Sequence, residues 1–553
     1  MTSPPTRATA RPEHLAPVPL ARAGGWLADL TGLAATRAGA AGDPDLTGLS
    51  LSTQRVEPGD LYAALPGQRS HGMDFAADAL AAGAVAVLTD EAGLARAPRE
   101  VLDAVPVLAV ATPRAVLGGL AARLNGEPAR AMTMIGVTGT QGKTTTTRLL
   151  EAGLQGSTGH AAVVGTVGTR VDGADVRTSL TTPEAPDLHG LFALMRERGV
   201  RTCAIEVSSH ALVLGRVDGV LFDVAVFLNL GRDHLDFHAD VEEYFAAKAS
   251  LFTPERARRA LVNADDEHGR RLVDLCRERG LPVRTFSTAG DADADWRATE
   301  VRLGPASSTF TVEGPGTRVE AVSPLPGDVN VANTLAALAA AAEAGLEVGP
   351  VAGALGRSGG VPGRFEQVGR GGPERRTVLV DYAHKPDAVA AALRTLRPLT
   401  QGRLAIVVGA GGDRDTGKRP VMGEVGARGA DLLVVTDDNP RSEDPAAIRA
   451  EVLAGALGVP AGERAELREV GDRAAAIAEA VAWAQRGDVV LVAGKGHELG
   501  QLVAGVSTPF DDRAVLGDAL ADRAAGRVLA GARPGPSVAD EVAGSGAAGG
   551  VTA

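Results

Sequence analysis

The stretch VTGTQGKTTTT, Val137 to Thr147, constrains this chain more than any other. It follows a short apolar run from Met132 and leads into Arg148, Leu149 and Leu150, so it reads as strand, tight loop and helix start. Gly139 and Gly142 allow a sharp turn that exposes backbone N–H groups to an anion. Lys143 has the reach for terminal phosphates, and the hydroxyl of Thr144 suits Mg²⁺. The match to the phosphate-loop pattern is incomplete, because Val137 stands where the pattern has its first glycine. On its own the stretch also reads as a Gly/Thr-rich turn that starts a helix.

A strand, phosphate loop and helix demand a parallel α/β sheet, and the chain is long enough for about three such domains. Its 553 residues are 45% hydrophobic and 22% charged, which supplies proper cores. The net charge of −12 and the lack of a basic stripe argue against a nucleic-acid binder. Cys203 and Cys276 do not make a disulfide framework, and no apolar run is long enough to span a membrane. A cytoplasmic protein is expected, without nucleic-acid or membrane partners, acting as a monomer.

Lysine usage is informative. Of 56 basic residues only five are lysine: Lys143, Lys248, Lys385, Lys418 and Lys495. Where arginine is the default, a retained lysine marks work a guanidinium does badly, such as a compact charge on phosphate or a reactive amine.

Taken in order, residues 1–17 read as a disordered Pro/Thr/Arg-rich tail, 18–128 as a small α/β domain, 129–361 as a central domain, 362–533 as a third domain, and 534–553 as a disordered tail. Expected strands end in special residues: Thr202 to Val207 in Glu206 and Ser208, Phe222 to Leu228 in Asn229 and the Asp233–His234 pair, and Arg376 to Val380 in Asp381 and His384. Leu404 to Val408 leads to Arg414, Leu432 to Val435 to Asp438, and Val489 to Val492 to Gly494 and Glu498. Ligands of parallel α/β sheets sit at such carboxyl ends. In isolation Glu206 reads equally as a carboxylate near a helix start, and His234 as a hydrogen-bonded histidine. Lys248 falls on an otherwise apolar face of the expected helix Val241 to Phe252. Desolvation there would free its neutral amine for carbamate formation, although from the residues alone an ion pair with Asp240, Glu242 or Glu243 is the plainer reading.

Together the motifs TGTQGKT (138–144), TTPE (181–184), EVSSHAL (206–212), NLGRDHLDFH (229–238), YFAAKASLF (244–252), GRFE (363–366), DYAHKPDA (381–388), GGDRDTGKRP (411–420), DDNPR (437–441) and GKGHE (494–498) resemble the Mur ligase family, and within it the diaminopimelate-adding branch. The resemblance spans residues 18–530. It implies a three-domain α/β protein with a small amino-terminal domain, a central ATPase domain with a parallel sheet and a Rossmann-like carboxyl-terminal domain. The implied activity is ATP-dependent addition of meso-2,6-diaminopimelate to UDP-N-acetylmuramoyl-L-alanyl-D-glutamate, with Mg²⁺ as cofactor.

The resemblance also implies roles. Gly139, Thr140, Gln141, Gly142, Lys143, Thr144 and Thr145 would cradle ATP phosphates, with Asn330, Arg364, Asp381 and His384 as further nucleotide contacts. Thr144 and Glu206 would hold one Mg²⁺. Glu206, His234 and Lys248, carbamylated to N6-carboxylysine, would hold a second. Thr181, Thr182, Ser208 and Arg216 would touch the UDP-muramoyl dipeptide. Arg414, Asp438, Asn439, Pro440, Arg441, Gly494 and Glu498 would form the diaminopimelate site. His210 is a weaker candidate for moving protons. Two positions depart from the family pattern: Gln54 replaces a serine, for which Ser52 or Thr53 would substitute, and Leu214 replaces a common glutamine. Rival readings are a lysine-adding or folylpolyglutamate synthase-like ligase, and a phosphate-loop NTPase switch.

Overall fold

The computed structural model describes residues 11–67, 69–178, 180–234, 237–369 and 376–527. By packing, the chain divides into two compact units. The first runs to residue 297 and takes in 312–319 and 333–354; the second is 298–311, 320–332 and the chain from 355 onward.

Among its described residues the first unit carries two large sheets, besides a short pairing of Val18–Pro19 with Asp45–Leu46. Near the amino terminus, Gly48–Ser50, Asp60–Ala63, Ala86–Thr89 and Pro106–Ala109 pair in parallel, with Thr36–Gly39 antiparallel at one edge. Beyond it lies a parallel block in the spatial order Ala161–Val164, Thr202–Glu206, Thr133–Thr138, Val224–Phe227, Ala260–Asn263, Val283–Ser287. Apart from Val283–Ser287 at the end of the block, these strands are nearly continuous runs of buried residues, mostly apolar, as a sheet covered on both faces requires. The earliest strand of this block in the chain, Thr133–Thr138, therefore sits between two that come later. Its register sets Glu206 beside Val137 and Phe227 beside Thr138, so three strand ends meet at the loop 139–142.

The second unit has a six-stranded sheet in the order Glu366–Gln367, Thr377–Asp381, Val489–Ala493, Leu404–Val408, Leu432–Val435, Glu466–Glu469, all parallel except the first pair. The carboxyl ends of four neighbouring strands thus open on one edge, which carries DYAHKP, GKGHE, GGDRD and DDNPR.

Some expectations shift in detail. The helix expected to reach Phe252 ends at Ala249, capped by Ser250. Residues 11–17 were expected to be disordered, yet Arg11 forks onto both oxygens of Asp60 at 2.8 Å each. Asp60 is fully buried, and a buried carboxylate needs such a partner. Residues 1–10 and the tail 534–553 lie outside the described residues. No helix among those described is long and apolar enough to cross a membrane.

Candidate active site

The phosphate loop is shaped by its glycines. Gly142 has φ 86° and Gly139 φ 153°, and a Cβ on Gly142 would lie 2.4 Å from Asn333 Oδ1. The helix Lys143–Thr158 starts on Gly142 with no side-chain cap, which leaves its first N–H groups and its dipole directed at the loop. Asn229, at the neighbouring strand end, clamps the loop from outside. Its Oδ1 accepts from Thr140 N–H (3.1 Å) and Gln141 N–H (2.9 Å), and its Nδ2 donates to Gln141 O (3.2 Å). Lys143 Nζ donates to the carbonyls of Gly139 (2.7 Å) and Thr140 (3.0 Å). Thr145 is buried on the helix.

Glu206 is buried beside Thr144, whose hydroxyl donates to Oε2 at 2.9 Å. Thr166 grips the same carboxylate twice, by N–H to Oε1 (2.8 Å) and hydroxyl to Oε2 (3.2 Å). A Cβ on Gly165 would lie only 2.2 Å from Oε1. A hydroxyl against a carboxylate is a hard-oxygen pair that fits Mg²⁺. Among the described residues no three His, Cys, Asp or Glu cluster as a metal cage.

Lys248 is 1% exposed, and its Nζ donates to Gly139 O at 2.9 Å, the carbonyl Lys143 also uses. The Tyr244 ring lies 4.4 Å from Nζ, and Tyr244 Oη meets Thr140 Oγ1 at 3.3 Å. Burial, then the Lys143 charge, push the Lys248 amine well below the ordinary lysine range against the opposing pull of Asp233. The ion pair favoured by the residues alone does not form. Glu242 pairs with Arg271, Glu243 accepts from Ala239 N–H, and Asp240 caps its helix. His234 has φ 55°, and its ring lies 4.9 Å from that of His210, which stacks on Phe237 at 3.9 Å.

Four of the residues expected to touch the UDP-muramoyl dipeptide, Thr181, Thr182, Ser208 and Arg216, gather near Glu206. Thr182 Oγ1 donates to Glu206 O (2.7 Å), and Thr181 Oγ1 meets Thr166 Oγ1 (3.0 Å). Arg216 Nε donates to Glu184 (2.8 Å), while Ser208 caps the helix Ser209–Val213 by accepting from Ala211 N–H. Thr53 opens a 3₁₀ turn ending at Arg55, which reaches Asp187 at 2.6 Å.

In the second unit, a cavity of about 490 Å³ opens at the strand ends, lined among others by Arg414, Asp438, Asn439, Arg441, Gly494 and Glu498. Gly494 has φ 116°, and a Cβ there would lie 2.6 Å from Asp438 Oδ2. Arg441, at φ 54°, donates through Nη1 to Gly412 O. The Pro440 carbonyl stands so close to Gly412 that a Cβ there would lie 1.9 Å away. His384 also lines the cavity, its Nδ1 2.9 Å from Tyr382 O, and burial lowers its pKa. Asp381 accepts from Phe365 and Ala383 N–H at 2.9 Å each; burial raises its pKa, opposed first by Arg364. The Arg364 guanidinium lies 5.0 Å over the Tyr382 ring. Asn330 Nδ2 donates to Pro326 O within its own turn (2.7 Å).

Comparison with known proteins fits this arrangement. Residues 45–124 match the Mur ligase family catalytic domain, 137–341 the Mur ligase middle domain, and 363–496 the Mur ligase glutamate ligase domain. The chain belongs to the Mur ligase family. Among Mur ligases it is 54% identical to the UDP-N-acetylmuramoyl-L-alanyl-D-glutamate–2,6-diaminopimelate ligase of Streptomyces avermitilis, over 92% of this chain and 98% of that one. It is 48% identical to the enzyme of the same name from Corynebacterium glutamicum, over 88% of this chain and 93% of that one. A solved structure of a ligase of that name superposes with a TM-score of 0.65 at 32% identity, covering 87% of this chain and 96% of the other.

Three residues of the candidate site carry no role that the sequence alone assigns. Asn229 was placed at a strand end without a role. Gly165 and Thr166 lay in an unremarked loop, and the signal for them was the run VVGT, a buried strand closing on a small residue and a hydroxyl.

Proposed function

We propose that this chain is the ATP-dependent ligase that joins meso-2,6-diaminopimelate to the D-glutamyl side-chain carboxylate of UDP-N-acetylmuramoyl-L-alanyl-D-glutamate. The observation that carries the reading is the cavity in the second unit, where Arg414 and Arg441 line the same space as Asp438 and Glu498. Such a lining offers fixed donors to a carboxylate and acceptors to an ammonium, so it suits an amino acid with a free zwitterionic end. L-lysine has only one carboxylate to present. A site built on polar pairing discriminates by roughly 10⁴-fold when a group is left unpaired.

The chemistry follows from the parts. A carboxylate does not condense with an amine at neutral pH, so one carboxylate oxygen first attacks the γ-phosphorus of ATP, the bond to ADP breaks, and an acyl phosphate forms. Loop N–H groups and Lys143 stabilise charge on the moving phosphoryl oxygens. The diaminopimelate amine then attacks the acyl carbon, loses a proton, and inorganic phosphate leaves. Thr144 and Glu206 would hold a Mg²⁺, with His234 and carbamylated Lys248 joining Glu206 for a second; the ion supplies charge neutralisation at the phosphates. Thr53, Thr181, Thr182, Ser208 and Arg216 would orient the UDP-linked acceptor, and Asn330, Arg364, Asp381 and His384 the nucleotide. We place the reaction in the cytoplasm, where ATP and UDP-activated precursors are found together.

The test is phosphate release from ATP with the UDP-linked dipeptide, comparing meso-diaminopimelate with L-lysine. Release that requires diaminopimelate is expected. Release with lysine alone overturns the choice of amino acid, and release with neither acceptor indicates an NTPase switch.

A further inference from the structure

Lys495 is wholly buried behind the amino-acid cavity. Its Nζ donates to Asn439 Oδ1 and to Gly500 O, each at 2.8 Å, and stands 3.6 Å from Glu498 Oε2. Asn439 Oδ1 also accepts from Leu502 N–H at 3.0 Å, and Asn439 Nδ2 donates to Glu498 Oε2 at 3.0 Å. This fixes the amide. Turned over, it would press its NH₂ against an ammonium and an N–H, and its oxygen against a carboxylate. Three favourable contacts would become repulsive, in a place where unmade polar contacts are costly. The backbone holds Lys495 in place from both sides. Gly494 and Gly496 have φ 116° and 56°, and a Cβ on Gly496 would lie 2.8 Å from Tyr382 Cβ. Three acceptors converging on one point suit an ammonium, whereas a planar guanidinium spreads its donors.

We propose that Lys495 is a positioning residue that sets which edge of Asn439 and which oxygen of Glu498 serve the cavity. With Lys495 in place, Asn439 offers a donor edge, and Glu498 spends Oε2 on that edge and keeps Oε1 for the ligand. A donor beside an acceptor recognises the carboxylate and ammonium of one amino-acid end. Lys495 thereby sets affinity for the amino acid while touching none of the reacting atoms. The identity of that amino acid rests on the function proposed above; the role of Lys495 does not.

The test is a double-mutant cycle on the full chain with Lys495→Met, Asn439→Ala and both together, with folding followed by circular dichroism. Lys495→Met is expected to raise KM for meso-diaminopimelate roughly ten- to a hundredfold, the effect of losing a charge-assisted hydrogen bond, with KM for ATP unchanged. In the Asn439→Ala background the same change is expected to add less than about threefold, the residue acting through Glu498 alone. Equal effects in both backgrounds, or a fall in kcat with KM unchanged, overturn the proposal. Should Lys495→Met not fold, Lys495→Gln, which keeps one donor, takes its place with a smaller rise and the same overturning result. The wild-type chain is assayed alongside. If it turns over a different amino acid, the reading of the substrate fails, and the cycle on that amino acid still decides for or against Lys495.

Discussion

Replacing Gly165 by alanine puts a methyl group against the carboxylate of Glu206, with Cβ 2.2 Å from Oε1, 2.9 Å from Cδ and 3.0 Å from Cγ. The side chain must retreat by about 1 Å to regain ordinary contact. Its hydrogen bonds from Thr166 N–H at 2.8 Å and Thr144 Oγ1 at 2.9 Å do not survive such a stretch. Each bond to a charged group is worth about 1.5–3 kcal/mol. Allowing for partial re-pairing, the loss is about 3 kcal/mol, or roughly a hundredfold in kcat/KM if Glu206 serves the transition state. The assay is phosphate release with both acceptors across a Mg²⁺ titration, where Gly165→Ala should also shift the half-saturating Mg²⁺ upward. Glu206→Asp provides the control. Aspartate is one methylene shorter and leaves room for the methyl, so adding Gly165→Ala to Glu206→Asp should cost little more. A Gly165→Ala enzyme close to wild type at every Mg²⁺ concentration, or one as damaging in the aspartate background, would refute the reasoning.

Two further outcomes are expected. Labelled bicarbonate should give a carbamate carbon signal by NMR that is absent from Lys248→Arg, and the signal should fade on acidification as the amine, held low by burial and by Lys143, takes up its proton; the same substitution should weaken Mg²⁺-dependent activity roughly 10–100-fold. His189, fully buried with Nε2 2.9 Å from Asp218 O, has its pKa lowered to about 4 from 6.5. The unfolded chain therefore binds the proton first, so the contribution of His189 to stability is complete above pH 6.5 and is lost as pH falls toward 4, about 3 kcal/mol in all. Urea unfolding at neutral and acid pH checks this, and a His189→Leu profile parallel to wild type would count against it.

What the sequence made legible follows the physics of parallel sheets. Strands such as Leu432–Val435 and Val489–Ala493 are apolar runs closed by polar clusters, so both the strand and the end that carries chemistry can be read locally. Sheet order cannot be read that way. Glu206 meets Thr144 because Thr202–Glu206 pairs with Thr133–Thr138 across more than sixty residues, and no local pattern states that pairing. Gly165 escaped for the same reason, since its lack of a side chain matters only once Glu206 lies beside it. The ion pair expected of Lys248 does not form because nearness in sequence does not fix a side chain's partner, which tertiary packing supplies. Lys248 points inward to Gly139 while Glu242 reaches Arg271. Arg11 was read as part of a disordered tail because the burial of Asp60, which calls for its charge, is a tertiary fact.

The scarcity of lysine acquires a physical reason once these residues are placed. Lys143 and Lys248 both donate to Gly139 O, with the Tyr244 ring packed 4.4 Å from the Lys248 amine, an arrangement that uses compact single donors. Lys418 Nζ reaches His384 O at 3.1 Å from the cavity wall, where burial lowers its pKa. Lys495 satisfies acceptors that converge from Asn439 and Gly500. At each position a single compact donor, or an amine able to lose its proton, does what a planar and permanently charged fork does not. An Arg-for-Lys exchange at 143 or 495 therefore keeps the formal charge and still loses the compact donor, which makes those exchanges a sharper probe of the site than removal of the charge itself.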